Sequence, residues 1–211
     1  MDVAQLTGLA ASIGLLSGWR LYLCTFAMGL AMRYGWVQLP QHLHALDALA
    51  NPWIIGLSGI GLVAEFFADK IPWLDSLWDG VHTFVRPVGG ALLAAAILDP
   101  QDPTWQVASL LLGGSAALLT HGAKAGARAA VNTSPEPFSN IALSLGEDVT
   151  TGGLLLLAIT HPAAAIAIAP IVAVGAAMAI LMLWRVIRRI TARRRSEPFP
   201  EPTGHRVSAE N

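Results

Sequence analysis

Residues 163–187 read AAAIAIAPIVAVGAAMAILMLWRVI, a long apolar stretch whose single charged side chain is Arg185. An α-helix needs about 20 apolar residues to cross a bilayer, so this stretch predicts a membrane-spanning helix. Six arginines lie between Arg185 and Arg195, at the end of the stretch. The positive-inside rule therefore predicts a cytoplasmic C-terminus. The same arginines are suited to contact anionic lipid headgroups.

The whole chain shares this apolar character. Of its 211 residues, 54% are hydrophobic and 13% are charged, and the mean hydropathy is +0.55. Average soluble domains contain about 45–50% apolar and about 25% charged residues. The composition excludes a disordered chain, a coiled coil and a nucleic-acid binder with a basic face. We therefore expect an all-α integral membrane protein that lies in a lipid bilayer and has no nucleic-acid partner.

Six apolar segments separated by proline-containing turns predict six transmembrane helices. They cover about 5–34, 52–69, 76–98, 105–130, 137–159 and 163–187. An even number of spans places the N-terminus in the cytoplasm together with the C-terminus. Between the first two segments, residues 35–51 are expected to form an interfacial loop with Trp36 and Trp53 at its edges.

Two offsets suggest an internal repeat. An offset of 104 aligns residues 18–20 with 122–124, so that Arg20 matches Lys124, and an offset of 83 aligns Glu65 with Asp148. Three spans in each half would make the halves inverted in the membrane, an arrangement that places sites where the halves meet. The predicted division is a first three-helix half (1–104), a second three-helix half (105–190) and a disordered cytoplasmic tail (191–211).

Charged side chains within or beside the apolar segments are the most informative feature. There are eleven, five basic and six acidic: Arg20, Glu65, Asp69, Lys70, Asp75, Asp79, Arg86, Lys124, Arg128, Glu147 and Asp148. One unpaired charge at the centre of a membrane helix costs about 2.5–3.5 kcal/mol on insertion scales. The set therefore forms either a structural lattice of salt bridges or a polar pathway.

The spacing of these residues places several on shared helix faces. Glu65 and Asp69 are four residues apart, and a second stripe contains Asp75, Asp79, His82 and Arg86. The second stripe could hold a divalent cation through its carboxylates and imidazole. It could instead relay protons through the histidine, or its basic residue could simply neutralise the acids.

The second half shows a comparable pattern. His121, Lys124 and Arg128 share one helix face, and the adjacent Glu147 and Asp148 point about 100° apart. One of these two acids is expected to pair with Lys124 or Arg128. The runs 86–90 and 150–153, rich in glycine, mark places where a helix either breaks or packs very closely.

Two motifs resemble a family of small bacterial multi-pass proteins known only as a domain of unknown function. They are EFFADKIPWLDSLWDGVHTFVRP (65–87) and KAGARAAVNTSPEPFSN (124–140). The resemblance spans roughly residues 8–185 and implies an uncharacterised protein of the bacterial inner membrane. No activity, substrate or cofactor comes with it.

The leading functional hypothesis is a small-ion transporter or channel, with the pathway at the repeat interface. Its pathway residues would be Glu65, Asp69, Asp79, His82 and Asp148, with Arg20, Arg86, Lys124 and Arg128 as counter-charges. The first alternative is a non-transporting scaffold or assembly factor whose charges are structural. The second is a metal-dependent membrane enzyme using Asp75, Asp79 and His82.

The sequence predicts no cofactor other than a possible bound cation. It contains no Walker loop, no G-x-S-x-G, no H-E-x-x-H and no haem-attachment motif, so a non-enzyme is expected. The short spans and many small residues favour a homo-oligomer.

Overall fold

The computed structural model describes residues 3–36, 41–98, 102–132 and 138–196, and these contain helices and no strand. The helices are α1 (Val3–Arg33), a 3₁₀ helix (Gln41–Ala50), α2 (Pro52–Ala68), α3 (Pro72–Ala95), α4 (Pro103–Val131), α5 (Phe138–Thr160) and α6 (Pro162–Ser196). The all-α prediction is confirmed, and each predicted apolar segment corresponds to one α-helix.

Prolines of the predicted turns lie at the N-terminal ends of α2, α3 and α4. Pro52, Pro72 and Pro103 each occupy the first turn, where a missing N–H costs no hydrogen bond. Two of these helices also have a side-chain cap: Asn51 Oδ1 accepts from the backbone N–H of Trp53 at 2.9 Å, and Asp102 caps α4 in the same way. The turn chemistry read from the sequence therefore sets where the helices begin.

Two predicted segments, the loop 35–51 and the C-terminal tail from residue 191, differ in detail from the structure. The expected loop 35–51 contains the 3₁₀ helix, and its edge residues Trp36 and Trp53 are exposed. In the second segment, α6 continues to Ser196, so the predicted tail boundary at 191 falls inside a helix. The remaining predicted tail, 197–211, lies outside the described residues.

Among the residues that the structure describes, three helices are long and apolar enough to cross a membrane: α1, residues 141–160 of α5 and residues 162–189 of α6. Helix α2 is apolar but shorter, at 17 residues. Helices α3 and α4 contain 24 and 29 residues, and their buried faces carry the charged stripes. The number of six spans stays a prediction.

Helix α1 is the centre of the bundle and packs against each of the other five α-helices. Helices α1, α3 and α4 approach one another closely at Gly14, Gly90 and Gly113. A Cβ on Gly14 would lie 2.9 Å from Gly113 Cα, and one on Gly90 would lie 2.8 Å from Gly113 O. The three backbones can meet here only because none of the three residues has a side chain.

Neither glycine-rich run contains a helix break, which was one of the two alternatives for these runs. Helix α3 is continuous through residues 86–90 and α5 through 150–153, whereas α1 is interrupted at Arg20, with φ −142° and ψ 73°. Close packing, the other alternative, holds for Gly90 but not for Gly152 or Gly153, whose Cβ positions face open space. Glycine lowers helix propensity without forcing a break, since tertiary contacts override it.

Candidate functional site

The interruption in α1 places Arg20 among carboxylates from two other helices. Its guanidinium is fully buried and forms a close ion pair with Asp69 of α2. Toward α5, Arg20 Nη2 lies 3.3 Å from Glu147 Oε2, and Nε lies 3.0 Å from Asp148 Oδ1. One side chain therefore joins acids that belong to different halves of the sequence.

Backbone carbonyls just before the break accept hydrogen bonds from other helices. Arg86 Nη1 donates to Gly18 O at 3.1 Å, and Lys124 Nζ donates to Trp19 O at 3.4 Å. Helix α4 can come this close because Gly18 has no side chain. A Cβ at this position would overlap Thr120 Oγ1 and Ala117 O. Cationic groups from α3 and α4 thus satisfy oxygens that the interrupted helix leaves free.

Glu65, near the C-terminal end of α2, gathers three cations. Its Oε1 atom lies 2.6 Å from Arg86 Nη2, 3.3 Å from Lys124 Nζ and 3.7 Å from Arg20 Nη1. The glutamate is fully buried. Burying a carboxylate is costly unless it is paired, and here α1, α3 and α4 all provide cationic partners.

Asp69 lies one helical turn beyond Glu65 and shares its buried face, as the spacing predicted. Arg128 Nη2 lies 3.1 Å from its Oδ2, Lys124 Nζ lies 3.6 Å from its Oδ1, and Ser144 Oγ donates to Oδ2 at 3.4 Å. Together with Arg20, these contacts connect α1, α2, α4 and α5 at one point.

The acidic pair of α5 meets the prediction that one member pairs with a cation of α4. Glu147 Oε2 lies 3.1 Å from Arg128 Nη2 and 3.7 Å from Lys124 Nζ. Although Glu147 and Asp148 point in different directions, both reach Arg20, because separate nitrogens of its wide guanidinium contact them.

The most deeply buried charges balance. Among the described residues, four cations and four carboxylates of the predicted set are at most 5% exposed: Arg20, Arg86, Lys124, Arg128, Glu65, Asp69, Asp75 and Asp79. The side chains of Glu147 and Asp148 are 11% and 25% exposed and form the edge of this group. We call these ten residues the charge cluster. Lys70 lies outside the cluster, with its Nζ 3.0 Å from the centre of the Phe66 ring.

The stripe on α3 is buried, but its members have separate partners. Asp75 accepts from Asn132 Nδ2 at 2.9 Å, and Asp79 Oδ1 lies 3.6 Å from Arg86 Nη1. His82 Nδ1 bonds to Trp78 O at 2.7 Å. Within the part of the chain that the structure describes, no group of three His, Cys, Asp or Glu side chains is placed to hold a metal ion. The alternative that Asp75, Asp79 and His82 hold a divalent cation therefore gains no support from the described residues and stays a hypothesis.

His121 belongs to the site although the list of pathway residues omitted it. Arg86 Nη1 lies 2.7 Å from His121 Nδ1, and since a guanidinium can only donate, Nδ1 accepts. The imidazole is then free to donate from Nε2 to Asp79 O at 3.1 Å. His121 thus links the charge cluster to the α3 backbone. The sequence signal was its position on the same face as Lys124.

Other polar residues of the site gave weaker signals. Tyr22 follows Arg20 by two residues, and its hydroxyl lies 3.0 Å from His82 Nε2. Ser144 lies one turn before Glu147 and accepts from Arg20 Nη2 at 3.1 Å. Single hydroxyl groups in apolar helices usually bond to their own backbone, so these contacts could not be recognised from spacing.

Two cavities approach the cluster from different halves of the chain. One of about 350 Å³ lies among α4, α5 and α6, and Lys124, Glu147 and Gly175 line it together with Trp19 of α1. The other, of about 290 Å³, lies among α1, α2 and α3 beside Tyr22 and has no charged residue in its lining. Of these two, only the first, here called the second-half cavity, has members of the charge cluster in its lining.

Comparison with known proteins gives one match. No curated protein and no solved structure is similar to the chain. A family model described as "Domain of unknown function (DUF4126)" matches residues 7–188, which include all six α-helices up to the arginine-rich end of α6. The chain, with its interrupted first helix and its buried charge cluster, therefore belongs to the DUF4126 family.

Proposed function

We propose that the protein is a transporter or channel for a small ion in the bacterial inner membrane, with both termini in the cytoplasm. The observation that carries the proposal is the interruption of α1 at Arg20, within an otherwise apolar helix of 31 residues. Irregular backbone at membrane depth is tolerated where it is buried in protein or lines a cavity, and ion sites in transporters are built from such interrupted helices.

Two ion pairs support the arrangement as inverted halves. The offsets of the sequence repeat pair Arg20 with Lys124, and Glu65 with Asp148. Arg20 contacts Asp148 at 3.0 Å, and Lys124 contacts Glu65 at 3.3 Å. When each residue is replaced by its repeat equivalent, the contact of Arg20 with Asp148 becomes the contact of Lys124 with Glu65. This exchange is expected for a pseudo-two-fold axis through the cluster.

The packing of the helices adds to this support. Helices α1 and α4 pack on one another, and each packs on both α3 and α6. The offset of 83 also aligns Pro87 of α3 with Pro170 of α6, the prolines inside these two helices. The halves differ at α5, which packs mainly on α1 and leaves the second-half cavity beside α4.

In the proposed pathway, the second-half cavity leads an ion to the charge cluster. Glu65, Asp69, Asp79, His82 and Asp148 would line or gate the route, and Arg20, Arg86, Lys124 and Arg128 would balance the charge. Ionisable residues inside membrane proteins mark ion and proton routes more often than inert packing. The chain's homo-oligomeric state and any contact of Arg185–Arg195 with anionic lipid remain predictions.

Ion flux in proteoliposomes tests the proposal. The purified protein is reconstituted in vesicles containing anionic lipid, and gradients of H⁺, Na⁺, K⁺ and Cl⁻ are imposed separately. We expect one of these gradients to dissipate faster than in protein-free vesicles. Rates equal to those of protein-free vesicles for all four ions would overturn the proposal.

A scaffold or assembly factor is the second candidate, and one observation favours it. The eight most deeply buried charges balance four against four, as in a lattice that only fixes helix packing. On this view no gradient dissipates, and neutralising a member of the cluster changes stability and nothing else. The flux assay therefore separates the two candidates.

A further inference from the structure

We infer that the ion is a proton and that Lys124 carries it between the second-half cavity and the charge cluster. This inference rests on the proposed function and assigns its substrate. Lys124 differs from the three buried arginines in its chemistry, its contacts and its position beside the cavity.

Lys124 differs chemically from the other three cations of the cluster. Arg20, Arg86 and Arg128 retain their protons under all conditions in proteins, whereas a lysine ammonium can lose one and become a neutral amine. Among the described residues of the cluster, Lys124 is therefore the only basic side chain able to alternate between charged and neutral forms.

The contacts of Lys124 are also looser than those of the arginines. Its Nζ atom lies 3.3 Å from Glu65 Oε1, 3.4 Å from Trp19 O, 3.6 Å from Asp69 Oδ1 and 3.7 Å from Glu147 Oε2. Charge-assisted hydrogen bonds to a carboxylate are normally about 2.7–2.9 Å long. The ammonium is thus surrounded by oxygens without a short bond to any of them.

Access distinguishes Lys124 further. The second-half cavity is lined by Lys124 and Glu147, while the three arginines are absent from its lining. The side chain of Glu147 is 11% exposed and that of Lys124 is fully buried, so a proton that enters the cavity reaches the Glu147 carboxylate first, with Lys124 Nζ 3.7 Å from Glu147 Oε2.

The proton balance involves these two groups. The Lys124 ammonium gives its proton to the Glu147 carboxylate, leaving a neutral amine and a neutral carboxylic acid, and the reverse step restores both charges. The 3.7 Å gap between Nζ and Oε2 requires a bridging water or a closer approach of the side chains. The total charge of the cluster does not change in this step.

Titratable and charged groups from every neighbouring helix other than α6 face this exchange. They are Arg20 of α1, Glu65 and Asp69 of α2, Arg86 of α3, His121 and Arg128 of α4, and Asp148 of α5. Helix α6 contributes the uncharged Gly175, Ala176 and Ala179 to the cavity.

The decisive variant is Lys124→Arg, which keeps the positive charge and removes the ability to lose it. In proteoliposomes with an imposed pH gradient, we expect wild-type protein to dissipate the gradient and Lys124→Arg to fall to the rate of protein-free vesicles. Circular dichroism and gel filtration verify that the variant folds. A Lys124→Arg protein that moves protons at the wild-type rate would overturn the inference, since a purely structural cation is replaceable by arginine.

If Lys124→Arg does not fold, a substitution that fills the second-half cavity tests the inference instead. A Cβ at Gly175 would meet nothing within 4 Å, so Gly175→Phe can place its ring in the second-half cavity. Gly153→Phe is the matched control, because its Cβ also meets nothing and it does not line the cavity. We expect Gly175→Phe to slow proton flux several-fold and Gly153→Phe to leave it unchanged; equal rates for the two would refute the inference.

Failure of the proton assignment is distinguishable from failure of the proposed function. Dissipation of a Na⁺, K⁺ or Cl⁻ gradient with no dissipation of the pH gradient overturns the proton assignment and retains ion transport. Absence of flux for every ion overturns both.

Discussion

Arg86 Nη2 lies 2.6 Å from Glu65 Oε1, and both side chains are fully buried. This ion pair joins α2 to α3, two helices that otherwise make few contacts with one another. The carboxylate of Glu65 therefore supports the position of α2 on the bundle in addition to balancing charge.

Glu65→Gln is expected to lower the free energy of unfolding by about 3–5 kcal/mol, because removing one partner leaves buried cations uncompensated. Asp148→Asn serves as the comparison. Its side chain is 25% exposed, and solvent will reduce the loss. Unfolding in mixed micelles measures both variants, and a larger loss for Asp148→Asn would contradict the assignment of Glu65 to the centre of the cluster.

Asp79→Asn is expected to remove ion flux and to lower the free energy of unfolding by less than Glu65→Gln does, because the cation nearest to Asp79 is 3.6 Å away and keeps its other partners. Neither carboxylate oxygen of Asp79 has a hydrogen-bond partner among the described residues, and Arg86 retains Glu65 and His121. Flux and unfolding are measured on the same preparation. Normal flux in a stable Asp79→Asn protein would exclude Asp79 from the pathway.

Gly113→Ala is expected to destabilise the protein by about 1–3 kcal/mol, as overpacking does. Its Cβ would overlap Gly90 O, a backbone atom that cannot rotate away. Gly122→Ala is the control on the same helix, since its Cβ would meet Ile180 Cδ1 at an ordinary 3.9 Å. It should be neutral or gain up to about 1 kcal/mol of helix propensity. Thermal unfolding followed by circular dichroism would rank the two, and the reverse order would refute the crossing at Gly113.

Tyr22→Phe is expected to cost about 0.5–1.5 kcal/mol through loss of the hydrogen bond to His82 Nε2. Tyr34→Phe provides the control, because Tyr34 is 64% exposed and its ring stacks on Trp36. Unfolding measurements that give the same result for both would show that the hydroxyl of Tyr22 does not support His82.

Cysteine labelling tests the predicted orientation. The native Cys24 is fully buried, so it provides an unreactive background. With both termini cytoplasmic, His161→Cys should react with a membrane-impermeant maleimide added to intact cells. Ile71→Cys should react only after permeabilisation, since the turn between α2 and α3 faces the cytoplasm in this topology. The opposite pattern would invert the orientation.

The sequence predicted the helices well because prolines and apolar length are local signals. Pro52 and Pro103 begin α2 and α4 where the proline-containing turns were expected. Helical spacing also placed Glu65 and Asp69 correctly on one face. Such spacing shows which residues of one helix lie together. The eleven charged residues within or beside the apolar segments include all ten members of the charge cluster, and Lys70 is the one that lies outside it.

The sequence could not show which charged side chains of different helices pair with one another, because these pairs depend on how the helices cross. The contact of Arg20 with both Glu147 and Asp148 required α5 to pack on α1, and no local pattern encodes that packing. The break at Arg20 was missed for the same reason. Residues 18–20 contain no proline, and the oxygens freed there are satisfied by Arg86 and Lys124 from distant segments.

The burial of Arg20 also has a consequence for biogenesis. Helix α1 leaves the ribosome first, yet Ser144, which receives a hydrogen bond from this arginine, is made 124 residues later. A lone arginine costs about 2.5–3.5 kcal/mol at the centre of an inserted helix. A chain truncated before α5 would therefore contain Arg20 without Glu147, Asp148 and Ser144, the groups of α5 that balance its charge or accept its hydrogen bond.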